Sequence, residues 1–210
     1  MYVPDHFSVS ETAVVQQLIL THPFGALITH GASGLDANHL PFELDTRAGS
    51  LGVLRAHVAR ANPLWREVSH GAETLVIFRT DDAYVSPNWY PSKHEFHKQV
   101  PTWNYRVVHA HGKITVHDDA DFVRGLVGRL TQTHEAAQPV PWKMSDAPTE
   151  YIDAMLRAIV GIEIEITRLV GKLKLSQNRE LRDRLSLADT LTSRGALSLG
   201  KATRDSINEP

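Results

Sequence analysis

The residues most able to do chemistry lie together between positions 89 and 112. This stretch holds tryptophan and tyrosine rings, four histidines and three basic side chains. From residue 105 onward the pattern alternates, as is typical of a strand with two different faces. One face collects Val108, Ala110, Ile114 and Val116, and the other collects Tyr105, His109, His111, Lys113 and His117. The first face suits a core, whereas the second predicts a surface on which rings and titratable nitrogens meet a ligand.

A candidate anion site precedes this stretch. Arg55 and His57 share the polar face of an earlier strand, and Arg60 and Asn62 follow at the start of a short helix. Side-chain cations beside the unpaired N–H groups of a helix N-terminus attract phosphate. The alternative is a solvated arginine face, with Asn62 acting only as a helix cap.

A second polar cluster lies near the C-terminus. Lys172, Lys174 and Arg179 flank a run of side-chain donors, Ser176, Gln177 and Asn178. These donors suit a phosphate or the polar edge of a heteroaromatic ring. The alternative is a helix cap followed by a solvated face. The rings of Trp89, Tyr90, Trp103 and Tyr105 would stack on a planar ligand, or they fill a core or a dimer interface.

Several other kinds of site are not predicted. His94 and His97 are three positions apart, and His109 and His111 share a face, but no HExxH or further ligand spacing supports a metal site. Glycine-rich nucleotide motifs and a GxSxG nucleophile are absent from the sequence. The chain has no cysteine, which excludes thiol catalysis and disulfides. No catalytic residue is assigned.

Composition is that of an ordinary soluble globular protein. The 210 residues are 42% hydrophobic and 22% charged, with a net charge of −2 that gives no general attraction to nucleic acid. No apolar run approaches the ~18 residues needed to cross a bilayer. The N-terminus lacks the pattern of a signal peptide, so we expect a cytoplasmic protein that does not enter a membrane.

The order of elements predicts an α+β protein that is mainly β. A capping box at Ser8–Glu11 predicts the first helix, and residues 200–210 are expected to form a frayed tail. We expect strands near residues 24–30, 38–44, 51–58, 74–80 (extended by 83–86), 105–117 and 162–167, and further helices near 63–68, 118–130, 150–159 and 179–191. Strands joined by glycine-bearing turns favour an antiparallel meander that closes as a barrel. The predicted division is a barrel domain over residues 1–175 and a C-terminal helix and tail over 176–210.

Six short blocks together resemble the PaiB family, described as FMN-binding negative transcriptional regulators. They are Met1-Tyr-x-Pro-x-His-Phe7, His39-Leu-Pro-Phe42, Ala56-His-Val-Ala-Arg-Ala-Asn-Pro-Leu-Trp65, Trp89-Tyr-Pro-Ser-Lys93, Val100-Pro-Thr-Trp-Asn-Tyr105 and Lys174-Leu-Ser-Gln-Asn-Arg179. The resemblance covers nearly the whole chain, and the last two blocks are its most specific parts. It implies a six-stranded antiparallel Greek-key split barrel with flanking helices, paired as a homodimer with FMN in a groove at the interface.

The resemblance also implies where the flavin contacts fall. His57, Arg60 and Asn62, together with Arg55, would hold the phosphate. Asn38 and His39 would approach the isoalloxazine ring from one side, and Trp103, His109 and His111 from the dimer side. Lys174 and Gln177 would complete the groove.

Three functions stay open on the sequence. The first is an FMN-binding negative transcriptional regulator. The second is an FMN-dependent oxidoreductase on the same barrel, and the third is a haem-binding or haem-degrading relative that uses His109 and His111. A barrel dimer that has lost its ligand is the structural alternative. Direct DNA binding has no visible motif, because Arg179, Arg182 and Arg184 on the late helix are nearly cancelled by Glu180, Asp183 and Asp189.

Overall fold

The computed structural model describes residues 1–32 and 34–208. Within them the chain forms eight strands: β1 Ser8–Val9, β2 Phe24–Gly31, β3 Gly34–Pro41, β4 Glu43–Asp45, β5 Val53–Ala59, β6 Glu73–Val85, β7 Thr102–His117 and β8 Ile159–Lys174. The α-helices are α1 Thr12–Thr21, α2 Leu64–Glu67, α3 Pro91–Phe96, α4 Ala120–Glu135, α5 Thr149–Arg157, α6 Leu181–Ser193 and α7 Leu197–Asn208. The α+β class and the flanking helices are therefore confirmed.

All eight strands belong to one sheet. Its order is β3-β2-β6-β7-β8-β5-β4, and the short β1 pairs with β8. The β2–β3, β2–β6, β4–β5 and β5–β8 ladders are antiparallel, with Leu27 opposite Val76 and Ala56 opposite Ile162. The predicted antiparallel sheet is thus present.

The chain divides into two compact units. The first comprises Met1–Leu18, Arg79–His109 and Val170–Pro210, and the second comprises Ile19–Phe78 and Ala110–Leu169. The boundaries fall inside helix α1 and inside the long strands β6, β7 and β8 rather than in linkers. The predicted domain boundary after residue 175 does not coincide with any of these unit boundaries, and it stays a prediction.

The core of the second unit comes from alternating strand residues. Leu54, Ala56 and Val58 of β5 are buried, as the period-two pattern predicts. The β2 strand passes so close to Phe78 that a side chain at Gly25 would place its Cβ 2.8 Å from the Phe78 ring. Only glycine fits there without moving the ring.

The core of the first unit joins the end of β8 to the last two helices. Its buried members are Val85, Tyr90, Leu175, Leu187, Leu191 and Leu199. Gly195 adopts a left-handed φ of 88° after α6, and the Ala196 N–H donates to the Leu191 carbonyl at 2.9 Å. This turn sends α7 back along α6.

The prediction of a frayed tail is wrong over residues 200–208, which belong to α7. Most residues of α7 are polar, including Lys201 and Asp205, so the sequence did not predict an amphipathic helix. Its buried face is narrow and contains Leu199 and Thr203. The part of that prediction that covers residues 209 and 210 lies outside the described residues.

Two smaller predictions are also wrong. Ser8 lies in β1 and does not cap a helix, and α1 begins at Thr12. The predicted strand through residues 38–44 is two strands, because pairing stops at Phe42 between β3 and β4. By contrast, the helix predicted near residues 118–130 is present as α4, and the Asp119 side chain caps it by accepting the Phe122 N–H at 2.7 Å.

Candidate ligand-binding surfaces

Arg60 of the second unit, predicted to bind phosphate, directs four hydrogen bonds to protein groups. Its Nη1 and Nη2 atoms donate to the Asp118 carboxylate at 3.0 and 2.5 Å, and its Nε donates to the Arg157 carbonyl at 2.6 Å. The hydrogen bond with Arg60 lowers the pKa of Asp118, and the same bond raises the pKa of Arg60. A phosphate at this guanidinium would have to replace a carboxylate that already makes a bidentate pair.

Arg55 is also paired. It donates to Glu163 at 2.7 Å and to Asp45 at 3.2 Å. Burial lowers the pKa of Arg55, but the hydrogen bonds and the charges of Glu163 and Asp45 together outweigh burial and raise the pKa overall. The surrounding cleft of 660 Å³ carries both signs of charge, from Glu43, Asp45, Arg47, Arg55, Asp121, Arg129 and Glu163. The cleft therefore has no net attraction for an anion.

The second unit does bring two predicted residues together. The Asn62 amide donates to the Asn38 side-chain oxygen at 2.7 Å, and Asn62 accepts the Leu64 N–H at 2.9 Å. Asn62 is thus the predicted cap of α2. His39 is exposed on β3 and stacks on Phe24 with ring centroids 6.3 Å apart.

His57 has an unusual position on β5. Its Nδ1 atom is buried and has no hydrogen-bond partner among the described residues. Burial lowers the pKa of His57, so the imidazole is held in its neutral form. A buried nitrogen without a partner is costly and is compatible with a ligand contact.

His109 and His111 lie two positions apart on β7, and each is partly buried. The Nε2 atom of His111 lies 3.0 Å from Arg168 Nη2, and so accepts from a cation. Burial, followed by the charge of Arg168, lowers the pKa of His111. The pairing favours a neutral imidazole at this position.

The first unit holds a different group of cations, Lys172, Lys174 and Arg179, which we term the basic cluster. Lys174 Nζ donates to Thr102 Oγ1 and to the Trp103 carbonyl, the latter at 2.8 Å. Burial lowers the pKa of Lys174, and the charges of Lys172 and Arg179 lower it further. Among residues 1–32 and 34–208, no carboxylate forms a salt bridge with any member of the basic cluster.

Aromatic rings surround the basic cluster. Lys172 Nζ lies 5.4 Å from the Tyr105 ring and 5.9 Å from the Tyr2 ring, within the range of cation–π attraction. The Arg179 guanidinium lies 5.7 Å from the Tyr90 ring. The cluster is therefore held by uncharged partners.

An aromatic surface adjoins the cluster through Tyr105. Trp103, Tyr105 and Val107 of β7 line a cavity of 280 Å³ together with Arg79 and Asp82. The Trp103 side chain is 53% exposed. Its ring meets exposed Tyr84 edge to face, with centroids 6.0 Å apart.

The four predicted stacking rings thus divide into two pairs. Tyr90 is fully buried, and Trp89 packs against the core of the first unit beneath Arg194. Trp103 and Tyr105 remain on the surface, where they can meet a ligand.

A buried polar network in the first unit was not predicted from the sequence. The Asn104 amide donates to Ser176 Oγ at 3.1 Å, and the Tyr90 hydroxyl lies 3.0 Å from the same oxygen. Ser176 adopts a left-handed φ of 67°. The network joins three of the sequence blocks that carry the family resemblance. The occurrence of all three blocks in one sequence was the only feature from which the network could have been predicted.

Gln177 lies in the turn that follows β8. Its amide oxygen accepts the Leu175 N–H at 2.8 Å, and its amide nitrogen donates to the Leu173 carbonyl at 2.7 Å. These bonds hold the chain in the bend that places Ser176. The main role of Gln177 in this structure is therefore to shape the turn between Lys174 and Arg179.

The acidic residues of α6 do more than balance charge. Asp183 is fully buried and accepts from Ser92, through the backbone N–H at 3.0 Å and through the hydroxyl at 2.5 Å. It thereby caps α3, a helix that the sequence did not predict. Arg182 makes two bonds to Glu95, at 2.6 and 2.8 Å, which leaves α6 without an uncompensated basic face there.

Two absences hold for the part of the chain that the structure describes. No three His, Asp or Glu side chains gather closely enough to hold a metal ion in residues 1–32 and 34–208. No helix in the same residues combines the length and the apolar character needed to span a membrane.

The fold defines the class of protein. It matches the FAD and heme binding protein from Mycobacterium smegmatis with a TM-score of 0.58 at 19% sequence identity, over 80% of this chain and 73% of that one. The chain is thus an α+β split barrel with an antiparallel sheet.

The sequence then defines the family. Residues 1–168 match the family described as "Putative FMN-binding domain", and the chain belongs to it. An uncharacterized protein of Emericella nidulans is 35% identical over 219 residues, covering 88% of this chain and 87% of its own. The protease synthase and sporulation protein PAI 2 of Bacillus subtilis is 29% identical over 193 residues, covering 91% and 89%. The predicted relation to the PaiB family is confirmed.

Proposed function

We propose that the protein is a homodimeric FMN-binding protein that acts as a negative regulator of transcription, with the flavin in a groove at the dimer interface. The observation that carries the proposal is the exposed ring of Trp103 and the partly buried ring of Tyr105 beside a basic cluster that lacks carboxylate partners. Membership of an FMN-binding family supports the same ligand.

The side chains of the first unit fit the chemical parts of FMN. The isoalloxazine is flat and aromatic, and the rings of Trp103 and Tyr105, which line the 280 Å³ cavity, offer it a stacking surface. The phosphate is a dianion near neutral pH and needs cations. Bound FMN would supply one- and two-electron redox chemistry, while the chain would bind and orient it. The assignments of Asn38, His39, Arg55, His57, Arg60 and Asn62 in the second unit, and of His109 and His111 on β7, stay predictions.

A homodimer accounts for the exposure of these rings. Trp103 and Tyr84 are large aromatic side chains at the surface of β6 and β7. Aromatic residues are enriched in the buried centres of interfaces. A second copy of the chain would cover them and enclose a stacked flavin on both sides.

Regulation would be indirect. Two arginines of α6 that could contact DNA are bonded within the protein instead. Arg182 binds Glu95, and Arg184 donates to the Ser206 carbonyl. A flavin-dependent contact with a partner, or chemistry on a metabolite, would then carry the signal to transcription.

The proposal is tested by titrating dialysed protein with FMN while flavin fluorescence and protein mass in solution are recorded. We expect saturable binding by a dimer. No saturable binding by the wild type contradicts the flavin assignment. In that case a Soret band on titration with hemin favours the haem alternative, and the M. smegmatis protein of similar fold is itself a heme binding protein. Oxidation of NAD(P)H in the presence of FMN favours the oxidoreductase instead.

A further inference from the structure

The basic cluster has no acidic partner among the described residues, whereas several arginines of the chain are paired with carboxylates. Arg55, Arg60 and Arg106 each bind one or two carboxylates, and Arg129 and Arg182 do the same. Lys172, Lys174 and Arg179 instead rest on carbonyls, a hydroxyl and aromatic rings. Their positive charge is therefore uncompensated by any described carboxylate within salt-bridge distance.

The three cationic side chains are also partly or fully buried. Lys172 is only 9% exposed, and Lys174 and Arg179 are partly buried. Burial lowers the pKa of Lys174, and the nearby positive charges of Lys172 and Arg179 add to this effect, so three cations are unfavourable here without an anion. An anion placed among the three cations would offset that cost.

Unused donors remain for such an anion. A lysine ammonium has three N–H donors. Lys172 directs one hydrogen bond to the Tyr2 carbonyl at 3.2 Å, and Lys174 directs two to Thr102 and Trp103. The turn that carries Ser176 and Gln177 fixes the spacing between Lys174 and Arg179.

We infer that the basic cluster of Lys172, Lys174 and Arg179 binds the phosphate monoester of FMN, and that Arg60 does not. This assignment rests on the proposed function. It places the anion beside Tyr105, which also lines the aromatic cavity, so one unit offers both a stacking surface and a phosphate site. Arg60 is excluded because Asp118 and two carbonyls already occupy its donors.

The test compares FMN with riboflavin, which has the same ring and no phosphate. Dissociation constants for both flavins are measured on the wild type, Lys174→Met and Arg60→Met. Methionine keeps most of the side-chain length and removes the charge. Thermal melting of each variant checks that it is folded, and Arg179→Met replaces Lys174→Met if the latter is not.

We expect the wild type to bind FMN at least about ten-fold more tightly than riboflavin. Lys174→Met should bring this ratio close to one while leaving riboflavin binding unchanged, and Arg60→Met should keep the wild-type ratio. Inorganic phosphate should weaken the binding of FMN but not of riboflavin. A ratio that survives in the folded cluster variant, Lys174→Met or its replacement Arg179→Met, or that is lost in Arg60→Met, overturns the assignment. If the wild type binds neither flavin, the proposed function itself fails, and the assignment fails with it.

Discussion

Asn104 and Ser176 lie 72 positions apart in the chain and meet through a buried hydrogen bond, with Asn104 Nδ2 at 3.1 Å from Ser176 Oγ. Tyr90 adds its hydroxyl to the same oxygen at 3.0 Å. The bond ties the start of β7 to the turn after β8. Since Trp103 and Lys174 lie beside these two residues in the chain, the buried network sets the base of the proposed ligand surface.

Replacing Asn104 by alanine should destabilise the protein by about 1–3 kcal/mol, because Ser176 Oγ would lose a buried partner. Urea unfolding measures the change. Asn88→Ala is the matched control, since Asn88 lies outside the buried network and should change stability by less than about 0.5 kcal/mol. An equal loss of stability in the two variants would contradict the claim that the buried network stabilises the protein.

Helix α7 should be essential for the core of the first unit. Leu199 is fully buried, so Leu199→Ala should cost about 2–5 kcal/mol in unfolding free energy. Leu197 begins the same helix but is 64% exposed, so Leu197→Ala should cost far less. Chemical denaturation of both variants makes the comparison. A Leu199 variant as stable as the Leu197 variant would mean that α7 does not dock.

Asp81 should contribute to stability above the acid range. Burial raises its pKa, but the hydrogen bond from Arg106 at 2.7 Å, the charge of Arg106 and smaller hydrogen bonds together outweigh burial and lower the pKa overall. A carboxylate with a depressed folded-state pKa stabilises the protein above its unfolded pKa of about 3.9, and this stability is lost as the pH falls through the folded value. Asp81→Asn should therefore lower stability at pH 7 by about 1 kcal/mol, allowing for solvent screening.

The measurement is the unfolding free energy of wild type and Asp81→Asn from pH 7 to pH 3. The two curves should converge at the acid end, since the wild-type carboxylate is then increasingly protonated. Curves that stay parallel to pH 3 would contradict the role of the Asp81–Arg106 pair.

His57 should make the protein less stable in mild acid. Burial lowers its folded-state pKa below the unfolded value of about 6.5, so the unfolded state binds more protons as the pH falls through that value. His57→Gln should therefore lose less stability than the wild type between pH 7.5 and pH 5.5. A His57 variant with an unchanged slope would contradict the buried neutral imidazole.

The sequence predicted those features that depend on local periodicity. Leu54, Ala56 and Val58 alternate into the core, and the helix near residues 118–130 is present as α4, because each needs only near neighbours in the chain. The family blocks also predicted the split-barrel fold.

The features that the sequence did not predict depend on pairings between distant residues. Arg60 binds Asp118, and buried Asp183 caps α3 through Ser92. These charged side chains are therefore bonded within the protein, although the sequence suggested that Arg60 was free to bind a ligand. Helix α7 was missed because its buried face is narrow and its sequence is polar. Such pairings follow from the register of the whole sheet and from helix docking, which a single sequence does not display.

The placement of the flavin is tested most directly by the affinity for FMN of two tryptophan variants. Trp103 is 53% exposed on the proposed flavin surface, whereas Trp142 is 42% exposed on a loop of the second unit. We expect Trp103→Leu to weaken FMN binding by about ten-fold through lost stacking, and Trp142→Leu to bind as the wild type does. Fluorescence titration of the dialysed proteins gives the three dissociation constants. Equal FMN affinity in all three proteins, or weakening only in Trp142→Leu, would contradict the placement of the flavin on the Trp103 surface.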